Sequence, residues 1–263
     1  MDLGLKDRVA MVAGSSQGLG KAVAMGLARE GAKLALCART QAALTAAAEE
    51  IRRATGVEVL ARATDVAVHD QVQKFVAETV ERFGRVDICV ANAGGPPSKP
   101  FAATTREDWE RAVNLNLMST VTFAREVLPL MQKQKWGRFI AITSMAVKQP
   151  VEGLILSNSV RSAVSGLVKS LSNEYGKDNV LVNNVCPGYT QTARLDELAG
   201  RLAKAEGVPP QAILERWARQ VPLQRLGRPE ELADLVVFLA SERASYITGV
   251  SIAVDGGIVK GIY

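Results

Sequence analysis

The chain has very few side chains that could bind a metal or take part in nucleophilic catalysis. Its 263 residues include one histidine, His69, and three cysteines, Cys37, Cys89 and Cys186. Zinc and iron–sulfur sites need several ligands at close, repeated spacings, which these residues do not provide, so we expect no metal site. A Ser-His-Asp triad would depend on His69 alone. His69 lies in a polar stretch, where we interpret it as a solvated residue near the start of a helix.

Long apolar runs are also absent. No stretch of the sequence approaches the roughly 18 residues that a membrane-spanning helix requires. Residues 1–7 contain neither the apolar region nor the cleavage site of a secretory signal peptide. The three cysteines lie in apolar, strand-like segments, which is typical of reduced thiols in a protein core. We therefore expect a soluble, cytoplasmic protein with no membrane partner.

The excess of positive charge is small. The chain has 32 lysine and arginine residues against 27 aspartate and glutamate residues, a formal net charge of +5. It contains no basic run with interleaved aromatic side chains, so we expect no nucleic-acid partner. At most, this charge favours an anionic ligand, such as a cofactor that carries phosphate groups.

Short apolar runs alternate with helical patterns throughout the chain. The predicted strands are residues 8–13, 33–38, 57–63, 86–91, 138–143, 180–185 and 250–254. The predicted helices are residues 18–29, 41–54, 70–83, 106–134, 154–175 and 229–241. Apolar strands separated by helices indicate parallel strands that are buried on both faces and joined by right-handed crossovers. The sequence therefore predicts an α/β fold with a three-layered, doubly wound sheet of the Rossmann type, forming one domain over residues 1–263.

Residues 189–226, which we call the lid segment, interrupt this alternation. They carry two helical patterns around a Gly-Val-Pro-Pro turn, and we interpret them as a substrate lid rather than a second domain. Helical spacing predicts that most of its large apolar residues pack in the core or in an interface. These residues are Leu195, Leu198, Leu202, Ile213, Leu214 and Trp217. If some of them line a pocket, its ligand is partly apolar.

A glycine-rich turn follows the first predicted strand and leads directly into a helical pattern. Glycines allow a tight turn that brings main-chain N–H groups and a helix N-terminus against a pyrophosphate. The strand–turn–helix context makes this motif a predicted dinucleotide-binding site. Its cofactor-binding candidates are Gly14, Ser16, Gln17, Gly18, Leu19 and Gly20.

The end of the second predicted strand indicates which dinucleotide is preferred. NAD-binding sites place an acidic residue there, which hydrogen-bonds the ribose 2′-hydroxyl. This chain has Ala38 and Arg39 instead. A guanidinium pairs with a 2′-phosphate through two parallel hydrogen bonds, whereas a carboxylate repels it. We therefore expect NADP(H) to be preferred, with NAD(H) possible; otherwise, Arg39 is simply an exposed arginine.

Together with motifs further along the chain, this pattern resembles the short-chain dehydrogenase/reductase family, especially its 3-oxoacyl-acyl-carrier-protein reductase-like members. The resemblance covers nearly the whole chain. It rests on Gly14-x-x-x-Gly18-x-Gly20, Asp65-Val66, Asn92-Ala93-Gly94, Asn116, Ser144, Pro187-Gly188 and Asp255-Gly256-Gly257. It implies an oxidoreductase that acts on a carbonyl or hydroxyl group of a small molecule.

The resemblance also assigns cofactor contacts. It implies that Asp65 hydrogen-bonds the adenine amino group and that Val66 lies beside the adenine ring. Asn92, Ala93 and Gly94 would steady the central sheet next to the cofactor. The turn at Pro187 and Gly188 would lie over the nicotinamide, and Thr190 and Thr192, which follow it, are further cofactor-binding candidates.

The catalytic positions differ from the family pattern. The family uses Asn, Ser, Tyr and Lys, with the last two spaced as Tyr-x-x-x-Lys; Asn116 and Ser144 match the first two. Ser157 and Arg161 occupy the other two positions. A serine hydroxyl is shorter than tyrosine and a far weaker acid. Arginine is a poor proton donor, although Arg161 could bind the nicotinamide ribose or stabilise an anion.

Several functions are compatible with these replacements. In the first, the chain is a working oxidoreductase in which Ser144 holds the carbonyl oxygen and the proton comes from water or from another residue. Tyr189 is a candidate donor, although it could instead be a packing residue of the lid segment. In the second, the chain binds NADP(H) but turns over poorly or not at all, and has a regulatory or binding role. A more distant alternative is an interaction or nucleic-acid module that kept only the fold, against which the absence of a basic stripe argues.

The two long predicted helices suggest self-association. Residues 106–134 and 154–175 carry more small and apolar residues than one buried face requires, notably Ala124, Ala163 and Val164. Similar family members bury the corresponding helices in homodimers and homotetramers, so we expect a homotetramer or homodimer. The alternative is that these residues simply pack under the sheet.

Overall fold

The computed structural model describes residues 1–262, and within them it contains one seven-stranded parallel sheet. The strand order is β3-β2-β1-β4-β5-β6-β7. The strands are β1 Val9–Ala13, β2 Lys33–Ala38, β3 Val59–Ala63, β4 Ile88–Asn92, β5 Gly137–Ile142, β6 Val180–Pro187 and β7 Ser251–Val254. The order reverses between β1 and β4, which is where Rossmann-type sheets bind their ligands. The predicted fold class is confirmed.

Helices cover both faces of the sheet. They are α1 Gly18–Arg29, α2 Gln41–Thr55, α3 His69–Phe83, α4 Arg106–Ala112, α5 Ser119–Gln134, α6 Ile155–Tyr175, α7 Ala193–Glu206, α8 Pro210–Gln220 and α9 Pro229–Ala240. Alternate residues of β1 point to opposite faces. Ala10 and Val12 join an apolar cluster with α1, α2 and α9, whereas Met11 and Ala13 join another with α3, α5 and α6. The central strands are mostly apolar because both of their faces are buried, whereas β3, at one edge of the sheet, exposes Arg62.

The predicted long helix over residues 106–134 is the element that differs most from the structure. A π-helical segment, Val113–Met118, separates α4 from α5. Its hydrogen bonds span one residue more than those of an α-helix, so a period of 3.6 residues cannot reveal it. The remaining predicted strands and helices begin and end within two residues of the observed bounds.

The lid segment contains two helices that pack on each other. Gly207, in the left-handed conformation, ends α7, and Pro210 is the first residue of α8. Ala199, Ala203 and Ile213 form the buried contact between the two helices, and Leu214 and Trp217 pack against it. The expectation that helical spacing reflects packing is confirmed for Ile213, Leu214 and Trp217, whereas Leu202 is exposed.

The three cysteines are buried and the single histidine is exposed. Cys37, Cys89 and Cys186 are buried and unpaired, and burial raises the pKa of the Cys37 thiol to about 12. His69 is exposed at the start of α3, 3.4 Å from the Thr122 hydroxyl. Among residues 1–262 no group of histidine, cysteine and acidic residues could hold a metal ion. The same range contains no helix that is long and apolar enough to cross a bilayer.

Two of the three residues that suggested self-association are buried within the subunit. Ala124 is 4% exposed and Val164 is 1% exposed, and both belong to the apolar cluster under the sheet. Their packing is therefore explained without a partner chain, which corrects that part of the sequence argument. Ala163 is exposed on α6, in a face that also includes Ser159 and Gly166.

Candidate active site

The glycine-rich turn lies at the point where the strand order reverses. Gly14 follows β1 directly and has a φ of +61°, in the left-handed region that favours glycine. Gly20 faces the carbonyl oxygen of Gly14 so closely that a Cβ there would clash with it. Ser15 anchors the turn because its main-chain N–H donates to the Cys37 carbonyl at 3.1 Å. The turn therefore runs from β1 to α1 with the tight geometry that its sequence predicts.

The N-terminus of α1 is left open by its own residues. Gln17 precedes the helix and is exposed, and its side chain makes no capping hydrogen bond. Gly18 and Leu19 begin the first helical turn and are half-buried. Free N–H groups at a helix N-terminus, together with the helix dipole, bind anionic groups such as phosphate.

Arg39 lies at the carboxyl end of β2, one strand away from the glycine turn. It is exposed and, within the part of the chain that the structure describes, has neither an ion-pair nor a hydrogen-bond partner. Asp65 follows β3 and is half-buried, as is Val66. One Asp65 carboxylate oxygen accepts the Ala67 N–H at 3.0 Å. Arg39, Asp65 and Val66 thus lie on consecutive strand ends along one edge of the sheet.

Asn92 joins two central strands next to the glycine turn. It ends β4, and its amide nitrogen donates to the Ala13 carbonyl at the end of β1, at 3.1 Å. The same nitrogen lies 2.8 Å from the position that a Cβ on Gly14 would occupy. A larger residue at position 14 would therefore displace Asn92 as well as strain the turn.

Asn116 lies inside the π-helical segment and is 5% exposed. Its amide nitrogen donates to the Gly94 carbonyl at 2.8 Å. Its amide oxygen, Oδ1, is buried and accepts no hydrogen bond from any residue in 1–262. Leaving a buried acceptor unpaired costs about 1–3 kcal/mol, so such atoms concentrate where a site has a use for them. The π-helical segment thus presents a free acceptor next to the loop that follows β4.

Arg161 is buried in α6, and its guanidinium connects the ends of two strands. Nη1 donates to the carbonyl oxygens of Ile142 and Thr143 at 3.1 and 2.9 Å, at the end of β5. Nη2 donates to the carbonyls of Ala93 and Gly94 at 3.2 and 3.4 Å, after β4. All four acceptors are neutral main-chain oxygens. Burial, followed by the charge of Arg194, lowers the pKa of Arg161 to about 10.

Two serines are placed next to this guanidinium, one beside a residue that it contacts and one on its own helix. Ser144 follows Thr143 and is half-buried, and its Oγ accepts the Ala146 N–H at 3.1 Å. Ser157 is one helical turn before Arg161 on α6, and therefore on the same face of the helix. Ser157 is 8% exposed, and its hydroxyl has no hydrogen-bond partner within residues 1–262. Both hydroxyl protons are therefore uncommitted.

The turn after β6 connects the sheet to the lid segment. The Gly188 N–H donates to the Val254 carbonyl at 2.9 Å, which fixes the turn after Pro187 against β7. Thr190 is buried and its hydroxyl donates to the Gly188 carbonyl at 3.3 Å. Thr192 caps α7, because its Oγ1 accepts the Leu195 N–H at 3.3 Å.

Thr192 also places the start of the lid segment over the glycine turn. Its methyl carbon lies 3.5 Å from the position that a Cβ on Gly18 would occupy. The start of α7 therefore covers the N-terminus of α1.

Tyr189 packs against the lid segment. Its ring stacks on Trp217 of α8, with centroids 5.0 Å apart and planes 16° apart. Burial raises the pKa of the Tyr189 phenol above its ordinary value of 10.0. This shift makes the phenol a weaker acid near neutral pH, which favours packing over proton donation.

One charged residue near the site was not among the sequence candidates. Arg194, in the first turn of α7, donates from Nη2 to the Pro96 carbonyl at 3.0 Å. It thereby spans from the lid segment to the loop after β4. The sequence shows only that an arginine follows the candidate Thr192 by two residues. A helical pattern does not predict which distant main-chain group such a side chain contacts.

The fold and the site together define a dinucleotide-binding protein with a Rossmann-type sheet. The model of a family described as Enoyl-(Acyl carrier protein) reductase matches residues 13–259. The chain belongs to the short-chain dehydrogenase/reductase family, and it is an oxidoreductase of that type. The family predicted from the sequence motifs is confirmed.

Named relatives show the range of this similarity. The chain is 33% identical over 258 residues to the 3-oxoacyl-[acyl-carrier-protein] reductase FabG of Aquifex aeolicus, covering 98% of this chain and 100% of that protein. It is 35% identical to a Monensin polyketide synthase putative ketoacyl reductase of Streptomyces virginiae, covering 95% and 97%. The L-sorbose reductase of Gluconobacter frateurii, solved with NADPH and L-sorbose, is 36% identical, with a TM-score of 0.95 and full coverage of both chains.

Proposed function

We propose that the chain is an NADP(H)-dependent reductase of a carbonyl group in a small, partly apolar molecule. The observation that carries this proposal is a glycine turn and a helix N-terminus without a side-chain cap at the reversal point, with an arginine, Arg39, that has no partner among the described residues at the neighbouring strand end. Structural relatives solved with NADPH support the choice of cofactor.

The residues along the sheet edge fit such a cofactor. The N–H groups around Gly18 would hold the pyrophosphate, and Arg39 would pair with a 2′-phosphate. Asp65 and Val66 would contact the adenine, and the turn at Gly188 would cover the nicotinamide. When bound, NADPH supplies the hydride for carbonyl reduction. The remaining cofactor-binding candidates in this proposal are Gly14, Ser16, Gln17, Leu19, Gly20, Asn92, Ala93, Gly94, Pro187, Thr190 and Thr192.

Ser144 is the proposed donor to the carbonyl oxygen of the substrate. Its Oγ already accepts the Ala146 N–H, and its own proton is uncommitted among residues 1–262. Ser157, with a free hydroxyl on the facing helix, would hold a water rather than act as an acid, since an aliphatic hydroxyl hardly ionises. The proton that completes the alcohol would then come from this water.

Arg161 and Asn116 contribute charge and a hydrogen-bond acceptor to the site in this proposal. The positive charge of Arg161 stabilises negative charge that develops on the carbonyl oxygen, while its N–H groups stay on main-chain carbonyls. The Nε–H of Arg161 has no partner within residues 1–262, so it would make the direct bond to the nicotinamide ribose that the sequence resemblance allows. The free Oδ1 of Asn116 would accept from a water or from a bound ligand.

Tyr189 is proposed as a packing residue of the lid segment, because its ring is stacked on Trp217 and its pKa is raised.

We further propose that residues 1–263 act as one domain, with the lid segment closing over the substrate. The proposal includes a cytoplasmic homotetramer or homodimer, for which the exposed small residues around Ala163 on α6 offer a contact face.

The decisive experiment measures cofactor binding and turnover separately. Calorimetry with NADPH and NADH should give the lower Kd for NADPH. Oxidation of NADPH, followed by its absorbance, should then occur with simple ketones or 3-oxoacyl thioesters. Equal affinity for both cofactors contradicts the NADP(H) assignment. Tight NADPH binding without turnover across a broad carbonyl panel would instead support the NADP(H)-binding protein with little or no catalysis.

A further inference from the structure

Two arginines next to the proposed active site, Arg161 and Arg194, donate hydrogen bonds to the same loop. This loop, residues 93–96, follows β4. Arg161 holds its first half from within, through the Ala93 and Gly94 carbonyls. Arg194 holds its second half from the lid segment, through the Pro96 carbonyl at 3.0 Å, and its guanidinium lies 3.7 Å from where a Cβ on Gly95 would be.

The positive charges of Arg161 and Arg194 differ in whether a carboxylate pairs with them. Arg161 contacts only neutral carbonyl oxygens within the described residues. Arg194 pairs with Glu197, three residues along α7, at 3.0 Å. The Glu197 side chain is 59% exposed, so water already screens this pair. The two guanidinium groups also repel each other, since the charge of Arg194 contributes to lowering the pKa of Arg161.

The ion pair on α7 has an alternative arrangement. Glu197 also lies 4.0 Å from Arg201, one turn further along the helix. Glu197 can therefore pair with Arg201 when Arg194 engages another anion. Thr192, two residues before Arg194, lies next to Gly18 of the glycine turn, and Arg194 itself contacts the loop after β4, so its guanidinium lies beside the proposed cofactor site.

We propose that Arg194 is a specificity-determining residue that binds the carboxylate of an oxo-acid substrate. The inference rests on the proposed reductase function and narrows its substrate class to small oxo acids with a partly apolar remainder. In the reaction, NADPH is oxidised to NADP⁺, its hydride forms a bond to the carbonyl carbon, and one solvent proton completes the hydroxyl group. The carboxylate stays ionised and pairs with Arg194 in a two-pronged hydrogen bond.

The test compares acids with their neutral esters. Pyruvate is paired with methyl pyruvate and acetoacetate with methyl acetoacetate, which places the carboxylate at two distances from the carbonyl. The wild-type protein should favour the acid in at least one pair. Arg194→Gln should lower the acid-to-ester ratio of kcat/KM for that pair by about 10–100-fold, and Arg194→Lys should restore part of it. Arg219→Gln, an exposed arginine on α8, is the matched control and should leave the ratio unchanged.

Several outcomes overturn the proposal. It is wrong if the wild-type protein favours the ester in both pairs, or if Arg194→Gln slows the acid and its ester equally, as expected of a residue that only fixes the lid. A rise in the Kd for NADPH without a change in the ratio would assign Arg194 to the cofactor instead.

Failure of the reductase function itself is distinguishable from these outcomes. If neither acids nor esters oxidise NADPH, calorimetry with pyruvate and acetoacetate on the NADP⁺-saturated protein still tests the carboxylate site. Binding that Arg194→Gln abolishes and Arg219→Gln preserves supports the site without turnover. Absence of binding by both acids contradicts it.

Discussion

The guanidinium of Arg161 lies 2.9 Å from the carbonyl oxygen of Thr143, the residue immediately before the candidate catalytic Ser144. The conformation of the serine is therefore coupled to a charge buried in α6. Arg161 also holds the loop after β4, so a single side chain sets the relative position of the two walls of the site.

Removing this arginine should destabilise the protein. Arg161→Ala takes a donor from four main-chain carbonyls, and we expect the free energy of unfolding to fall by about 3 kcal/mol. Urea denaturation followed by circular dichroism measures the change. Arg53→Ala, an exposed arginine in α2, is the control and should shift the midpoint little. A variant at position 161 that is as stable as this control would contradict the clamp role of Arg161.

Restoring the family's residue pair should increase carbonyl reduction. The double variant Ser157→Tyr with Arg161→Lys introduces a phenol whose pKa a neighbouring ammonium lowers, and a general acid contributes about 10²–10⁴-fold in rate. We expect kcat with a ketone substrate to rise at least about tenfold. Arg161→Lys alone is the control, because it reports the loss of guanidinium contacts without the new acid. No gain in a folded double variant that binds NADPH contradicts our assignment of these two positions.

Arg39 should determine the cofactor preference. Arg39→Gln removes the proposed charge-assisted hydrogen bonds to the 2′-phosphate, so the Kd for NADPH should rise about 10–100-fold. The Kd for NADH, which lacks that phosphate, should change far less. Arg53→Gln, at the far end of α2, serves as the matched charge control. A parallel loss of affinity for both cofactors would show that Arg39 acts on the fold or on a shared part of the ligand.

Tyr189 should tolerate loss of its hydroxyl. Tyr189→Phe keeps the ring that stacks on Trp217, so we expect kcat to stay within about threefold of the wild type, well short of the loss expected on removing a general acid. Tyr189→Ala removes the stacking and should raise the KM for the substrate. A drop in kcat of about 100-fold in the phenylalanine variant would instead identify Tyr189 as the proton donor.

The segment that leads into α9 should make stability sensitive to acid. Arg225 first, and then the Arg228 main chain, lower the pKa of Glu231 from 4.5 to about 2. A carboxyl group whose pKa is lower in the folded state stabilises the fold above its unfolded pKa, and this contribution is lost as the pH falls through the folded value. The Tm should therefore fall between pH 4.5 and pH 2, and less steeply in Glu231→Gln. The control Glu230→Gln, an exposed neighbour, should retain the wild-type slope.

Periodicity and motif spacing predicted most of the framework. Most strand residues are apolar because the sheet is covered by helices on both faces, so the strand bounds were predictable to within two residues. The glycine turn was predictable because its geometry admits few residues other than glycine. These features depend on local sequence and on the general rule that parallel strands need crossover connections.

The direction of long polar side chains was not predictable. The sequence gives no sign that Arg161 turns towards four carbonyls, since these come from two strands that the fold alone brings together. Arg194 was missed for the same reason: its acceptor, Pro96, is 98 residues away in the chain. Side-chain contacts of this kind depend on tertiary structure rather than on the pattern of one segment.

The π-helical segment Val113–Met118 has a consequence for how this region tolerates changes in length. A π-helical turn accommodates one residue more than an α-helical turn, so deleting one residue here would allow α4 and α5 to join as a regular helix. The residues that follow would then keep their faces relative to α4. If the segment became α-helical at its present length instead, every residue that follows would rotate by about 100° relative to α4, since an α-helix has 3.6 residues per turn. Either Asn116 would then turn away from Gly94, or Phe123 would leave the core, so the extra residue is accommodated here only by the wider π-helical turn.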